Sequence, residues 1–217
     1  MFKNYLKIAF RNILKNKMFS LINIVGLSIG LSISFVIGTM IYHDLNFDKF
    51  HTENERIYRI TSDFITPEGD FYNRGVAVPL GKYAKEQMVG FETVSNFFTE
   101  HIQSVENKQA AKTYRNIEDA IITDANYFDI FKYTWLAGSS SSLTEPGQLV
   151  LTLERASRYF PNLKADEIIG KVLVYNDQIP MTVSGIVEDP KKRTDLFFKE
   201  FLSLETVRNT PLESDFF

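Results

Sequence analysis

Three histidines, a handful of carboxylates and two glycine–lysine pairs are the residues whose types could do chemistry in this 217-residue chain. His43, Asp44, Asp48 and His51 stand close together, and Asp44 and Asp48 share a face if the segment is helical. A zinc site needs tighter donor spacing. The two histidines are eight apart, no HExxH is present and the chain has no cysteine. A solvated stalk is the simpler reading. Gly81-Lys82 and Gly170-Lys171 invite a phosphate loop, but Walker A requires a glycine five residues earlier and Ser/Thr afterwards. Those positions hold Val76 and Tyr83, or Ala165 and Val172. The third histidine is His101, and no serine sits in a G-x-S-x-G elbow. The residues point to no enzyme, no cofactor and no metal.

The dominant element is instead a membrane span. Residues 18–42 read MFSLINIVGLSIGLSISFVIGTMIY, and nothing charged lies between Lys17 and Asp44. About 24 apolar residues make a helix of roughly 36 Å, enough for a ~30 Å hydrocarbon core. A secretory apolar core is shorter, and no small-x-small cleavage site follows, so the span reads as a retained anchor. Before it stand Lys3, Lys7, Arg11, Lys15 and Lys17 without one acidic residue. The positive-inside rule leaves that end cytoplasmic and everything after Tyr42 outside. The chain's net charge of −3 hides an imbalance: without those five residues, 19 basic face 27 acidic residues, a net of −8. An acidic exterior argues against nucleic acid and against docking on anionic lipid.

Within the span Gly26, Gly30, Ser34 and Gly38 recur every fourth residue, a stripe that lets a second helix backbone approach. In residues 1–17, Phe2, Leu6, Ala9, Phe10, Ile13 and Leu14 fall on one side of a helix, and Lys3, Lys7, Arg11 and Lys15 on another. That is the pattern of a helix lying in the membrane interface. Beyond the span, Leu45, Phe47 and Phe50 extend the helix a turn or two before Asn54.

From residue 57 the period changes to that of strands. Expected strands are 57–64, 71–78, 94–99, 102–106, 111–114, 120–123, 149–151, 171–175 and 181–187. Turns fall at 66–70 and at Asn176-Asp177. Pro79 opens a helix with Leu80, Tyr83, Ala84 and Gln87 on one face. Asp124 caps a short helix that buries Tyr127, Phe128 and Phe131, and Thr152 caps one that carries Ala156, Tyr159 and Phe160. Residues 138–142, Gly-Ser-Ser-Ser-Ser, read as a flexible loop. The pattern closes at Asp189-Pro190. The fold class is α+β: one N-terminal transmembrane helix, then a mixed α/β extracytoplasmic domain of one unit or two close subdomains. Its domains are 1–17, 18–43 and 44–217. With 29 Phe and Tyr residues and no cysteine, the exterior is held by its core alone.

Several stretches carry a resemblance. They are FKNYLKIAFRNILKNKMFSLINIVGLSIGL, DLNFDKFHTENERIYRI, Val78-Pro79-Leu80, DANYFDIFKYTWLAGSSSSLTEPGQLVLT, ERASRYF, IIGKVL and VSGIVEDP. In this order they resemble ABC transporter permeases of the MacB/FtsX class, covering nearly the whole chain. The resemblance implies a first membrane helix leading into a periplasmic core domain, with three further helices after it. Against that pattern the chain reads either as a fragment of a longer permease of the cell inner membrane or as a C-terminally truncated product unable to transport alone. The partners it implies are a separate or fused ATPase, a permease homodimer or related permease, membrane lipids and a periplasmic adaptor. Export of a lipoprotein, peptide, lipid or drug, or a mechanical signal, is the implied output. A single-pass extracytoplasmic sensor or binding module is the alternative, although 17 cytoplasmic residues supply no output domain.

Overall fold

The computed structural model describes residues 2–45, 53–77, 79–99, 101–190, 194 and 196–208. The chain divides into two units, Met1–Phe47 and Asp48–Phe217. In the first, α1 (Phe2–Lys15) and α2 (Lys17–Leu45) follow one another with only Asn16 between them. Backbone bonds from Asn16 N to Asn12 O and from Ser20 N to Asn16 O carry the helical ladder across that residue. The α2 helix is long and apolar enough to cross a membrane. Two of its hydroxyls bond within the helix: Ser32 Oγ donates to Ser28 O at 2.7 Å and Thr39 Oγ1 to Phe35 O at 2.8 Å. The helix begins one residue earlier and ends two residues later than the expected domain bounds of 18–43, and the expected continuation over Phe47 and Phe50 lies outside the described residues.

The second unit opens with a 3₁₀ turn, Asn54–Arg56, and a hairpin of β1 (Ser62–Thr66) and β2 (Gly69–Asn73). The expected strand at 57–64 therefore starts late, because residues 57–61 find no ladder partner and only 62–66 pair. Pro79 is the first residue of α3 (Pro79–Gln87), as its fixed φ and missing N–H favour. Of the expected apolar face, Ala84 is buried while Tyr83 is exposed.

Next come β3 (Phe97–Thr99), β4 (Ile102–Asn107), β5 (Lys112–Ile117), β6 (Ala120–Thr123), α4 (Asn126–Phe131) and β7 (Trp135–Ala137). Ala125 immediately precedes α4 and makes no side-chain cap bond, while the Asp124 carboxylate accepts from Ser95 Oγ at 2.7 Å and from the backbone of Tyr127 in the first turn. The expected flexible serine loop is ordered. It forms a 3₁₀ turn, Ser140–Leu143, in which Ser139 and Ser142 cap each other, while Ser142 Oγ donates to Ser184 O and Ser184 Oγ to Ser142 O. Serine composition signals a hydroxyl supply as well as flexibility, and here the Ser142 and Ser184 hydroxyls each tie down a backbone carbonyl while Ser139 and Ser141 bond to one another.

Then follow β8 (Gln148–Thr152), α5 (Leu153–Tyr159), α6 (Ala165–Ile168), β9 (Val172–Tyr175), β10 (Ile179–Val187), β11 (Glu200–Ser203) and α7 (Leu204–Arg208). Thr152 caps α5 by accepting from Arg155 N, and Asp189 Oδ2 accepts from Glu154 N at 2.9 Å. Asn176 and Asp177 turn β9 into β10 with both φ angles positive, the conformation a tight hairpin requires.

The large sheet has the order β3-β6-β11-β8-β10-β9-β4-β5, with β7 also paired to β10. Alternate residues of a strand enter different clusters. Leu149, Leu151 and Leu202 join the larger core, whereas Val150, Ile121 and Phe201 join an aromatic one with Tyr127, Phe128 and Trp135. Its central strands are thus covered on both faces, which is why burial runs almost unbroken through AIIT, QLVLT and EFLS.

Candidate functional site

On α2, Gly26, Gly30 and Ser34 form the floor of an open groove whose walls include Ile22, Leu27 and Leu31. Gly38 stands one turn beyond. A Cβ added at Gly26, Gly30 or Gly38 would meet no atom within 4 Å. Glycine costs a helix ~1 kcal/mol relative to alanine, and nothing in the described residues uses the smallness of these three. On α1, Lys3, Lys7, Arg11 and Lys15 are exposed, and so are Phe10, Ile13 and Leu14 on the apolar side. His43 and Asp44 lie in the last turn of α2. Asp48 and His51, which the metal reading would need, lie outside the described residues. Among the described residues no group of three His, Asp or Glu could hold a metal ion.

The most concentrated polar chemistry of the second unit is inside its core. Glu200, at the start of β11, is fully buried. Tyr159 of α5 donates its hydroxyl to Glu200 Oε1, and Tyr175 of β9 donates to Oε2 at 2.5 Å. Arg155 Nη1 stands 3.2 Å from Oε1, while Arg155 Nη2 donates to Glu118 O at 2.9 Å. Burial pushes the Glu200 carboxyl above the usual range, against the pull of Arg155 and the two phenols. Burial and the Glu200 charge push both phenols upward as well, so they remain hydrogen-bond donors and cannot serve as bases near neutral pH. The arrangement ties α5, β9 and β11 together and leaves no room for a substrate. Spacing missed it: Arg155 and Tyr159 sit one turn apart in the legible ERASRYF helix, but their acid lies 41 residues beyond Tyr159.

A polar cleft of about 210 Å³ is lined by Lys85, Asp124, Asn126, Thr144 and Glu205, among others. Burial raises the Asp124 carboxyl, with Ser95 and Lys85 opposing. In the aromatic cluster, burial pushes Tyr133 up to about 12.

A family model described as the MacB-like periplasmic core domain matches residues 20–211. Among solved structures, the chain is similar to the periplasmic region of MacB from Actinobacillus actinomycetemcomitans, with 16% identity over 63% of this chain and 59% of that one, TM-score 0.47. It is similar to a domain of a putative permease protein from Porphyromonas gingivalis, with 18% identity over 67% and 63%, TM-score 0.53. A third likeness is to the extracellular domain of the noncanonic ABC-type transporter YknZ from Gram-positive bacteria, with 11% identity over 58% and 61%, TM-score 0.43. The matched part spans about three fifths of each of these structures. No curated protein matches the chain.

Proposed function

Because the chain belongs to the family of MacB-like periplasmic core domains, we propose that it is the first membrane helix and external domain of an ABC transporter permease, moved by a partner ATPase. The observation that supports this most is the extent of the family match. It begins at residue 20, inside the apolar helix, and runs to residue 211, so one family model takes in most of the helix together with the external domain.

In this reading, α2 is not a passive tether but a lever. The basic face of α1 rests against cytoplasmic phosphates, the stripe of Gly26, Gly30, Ser34 and Gly38 packs on another helix, and the acidic domain stands on the far side of the membrane. Hydrolysis occurs on the partner, and the described domain transmits movement without making or breaking bonds. The transported class is an exported lipoprotein, peptide, lipid or drug, or the movement itself is the output.

The test uses the full-length permease co-expressed with its ATPase. The chain has no cysteine, so single cysteines can be placed at Asn4 and Ser140. An impermeant thiol reagent should label Ser140→Cys and spare Asn4→Cys. Trapping the ATPase with ATP and vanadate should change the labelling rate of a cysteine in the external domain several-fold. Reversed labelling would overturn the orientation. A co-purifying ATPase whose nucleotide state leaves that rate unchanged would overturn the coupling.

A further inference from the structure

In the chain, residues 53–61 lie between α2 and the first strand of the external domain. They carry two arginines three positions apart, Arg56 and Arg59, and each reaches a distant part of that domain. Arg56 Nη2 stands 2.6 Å from Glu92 Oε2, while its Nη1 stands 3.3 Å from Glu53 Oε2. Arg59 Nη2 donates to Arg74 O at 3.1 Å, just beyond β2. The Arg59 guanidinium also lies over the Phe97 ring, 5.7 Å from its centre.

Glu92 and Phe97 are the two ends of one short strip, and the residues between them are bonded to the domain. Asn126 Nδ2 donates to Val94 O at 2.9 Å, Ser95 Oγ to Asp124 Oδ1 at 2.7 Å, and Thr123 Oγ1 to Asn96 O at 2.8 Å. Gly81 of α3 leaves space for the Asn96 side chain, which a Cβ at that position would strike. Phe97 itself pairs with Thr123 of β6, and its ring packs against Tyr127 and Phe198 of the aromatic cluster. A strip held at so many successive points moves with α4 and β6 as one piece.

We propose that Arg56 and Arg59 form a clamp that passes movement of α2 to the strip 92–97 and so to the sheet. The clamp rests on the lever reading above and names the residues through which the lever acts. Coupling between distant parts of a protein is carried by contiguous bonded and packed groups, and this is such a series. Two grips do what one cannot. A hold at Glu92 alone would let the segment swivel about Arg56, whereas the second hold at Phe97 fixes its direction as well. Arginine suits both: its planar fork answers Glu53 and Glu92 together, and its flat face lies on a ring. The side chains of Arg56 and Glu92 are 63% and 75% exposed, and pairs so open add little to folding. Their loss therefore reads coupling with the domain still folded.

The test uses the full-length permease with its ATPase. Its readout is the labelling rate of Ser140→Cys with and without ATP and vanadate. Arg56→Gln/Arg59→Gln should abolish most of the several-fold nucleotide response while the ATPase still co-purifies and hydrolyses ATP. Arg56→Glu should weaken the response and Arg56→Glu/Glu92→Arg should restore it, a rescue that a damaged fold would not give. Arg115→Gln, an exposed arginine on β5, should respond like the wild type. A wild type without a response would overturn the lever reading and the clamp with it. If the wild type responds, an equal response in Arg56→Gln/Arg59→Gln, a charge swap without rescue, or the same loss in Arg115→Gln would overturn the clamp alone.

Discussion

At the scale of single residues, Glu200 is where folding energy and sequence position are most at odds. A carboxylate taken wholly out of water is expensive unless every lone pair is answered. Here one guanidinium and two phenols answer it. Replacing Glu200 by Gln keeps the shape but leaves Arg155 charged and buried at 5% exposure. Breaking such a pair costs about 3–5 kcal/mol, whereas removing both charges costs much less. Urea unfolding of the external domain should show Glu200→Gln destabilised by about that amount and Arg155→Met/Glu200→Gln largely recovered. A loss below ~1 kcal/mol in the single variant would mean that Arg155 reaches another partner, and that the cluster is not what holds α5 to β11. Local residues were legible where the chemistry is local: Pro79 opening α3, Thr152 capping α5, Asn176 and Asp177 turning the hairpin. The glutamate was not, since its partners are 25 to 45 positions away and no short pattern joins them.

Elements divide in the same way. The long apolar helix is the easiest to read, because its boundary conditions are compositional and need no neighbour. Strands buried on both faces lose the alternation that marks a half-exposed strand, so β11, four residues of EFLS behind an irregular stretch, left no periodic trace. The serine run misled for a different reason. Its hydroxyls bond to Ser184 and to one another, so a composition suited to flexibility closes a rigid turn against β10. The stripe on α2 was legible as a spacing, and its use is settled only by changing it. Gly26→Ile/Gly30→Ile fills the groove with branched side chains, and helix-packing energies in membranes run about 1 kcal/mol per contact. In the full-length permease with its ATPase, the double variant should lose assembly and ATP-dependent activity, with Ile29→Leu as the volume-conserving control. Equal assembly by the double variant would reduce α2 to a tether.

For the external domain as a whole, the order of the strands matters more than their number. Among the described residues, β3 and β6 join the rest of the sheet only through β11, which pairs parallel with β6 and antiparallel with β8. The last strand of the described chain thus lies inside the sheet, and some eighty residues separate it from its parallel neighbour. Non-local pairing of this kind forms late and costs loop-closure entropy before it is rewarded. It also makes the sheet one cooperative object. Removing β11 would open the inner edges of β6 and β8 at once, uncover Ile121 and Val150 on one face and Leu149 and Ile122 on the other, and leave Arg155 without Glu200. The domain has no disulfide to hold the pieces together. A soluble chain of residues 53–208 should therefore unfold in one sharp thermal transition. One ending at Pro190, where the strand pattern in the sequence closes, should bind a hydrophobic dye and melt without cooperativity. Should the shorter chain melt as sharply and at the same temperature, the two halves of the sheet would be independent subdomains and β11 only a strap between them.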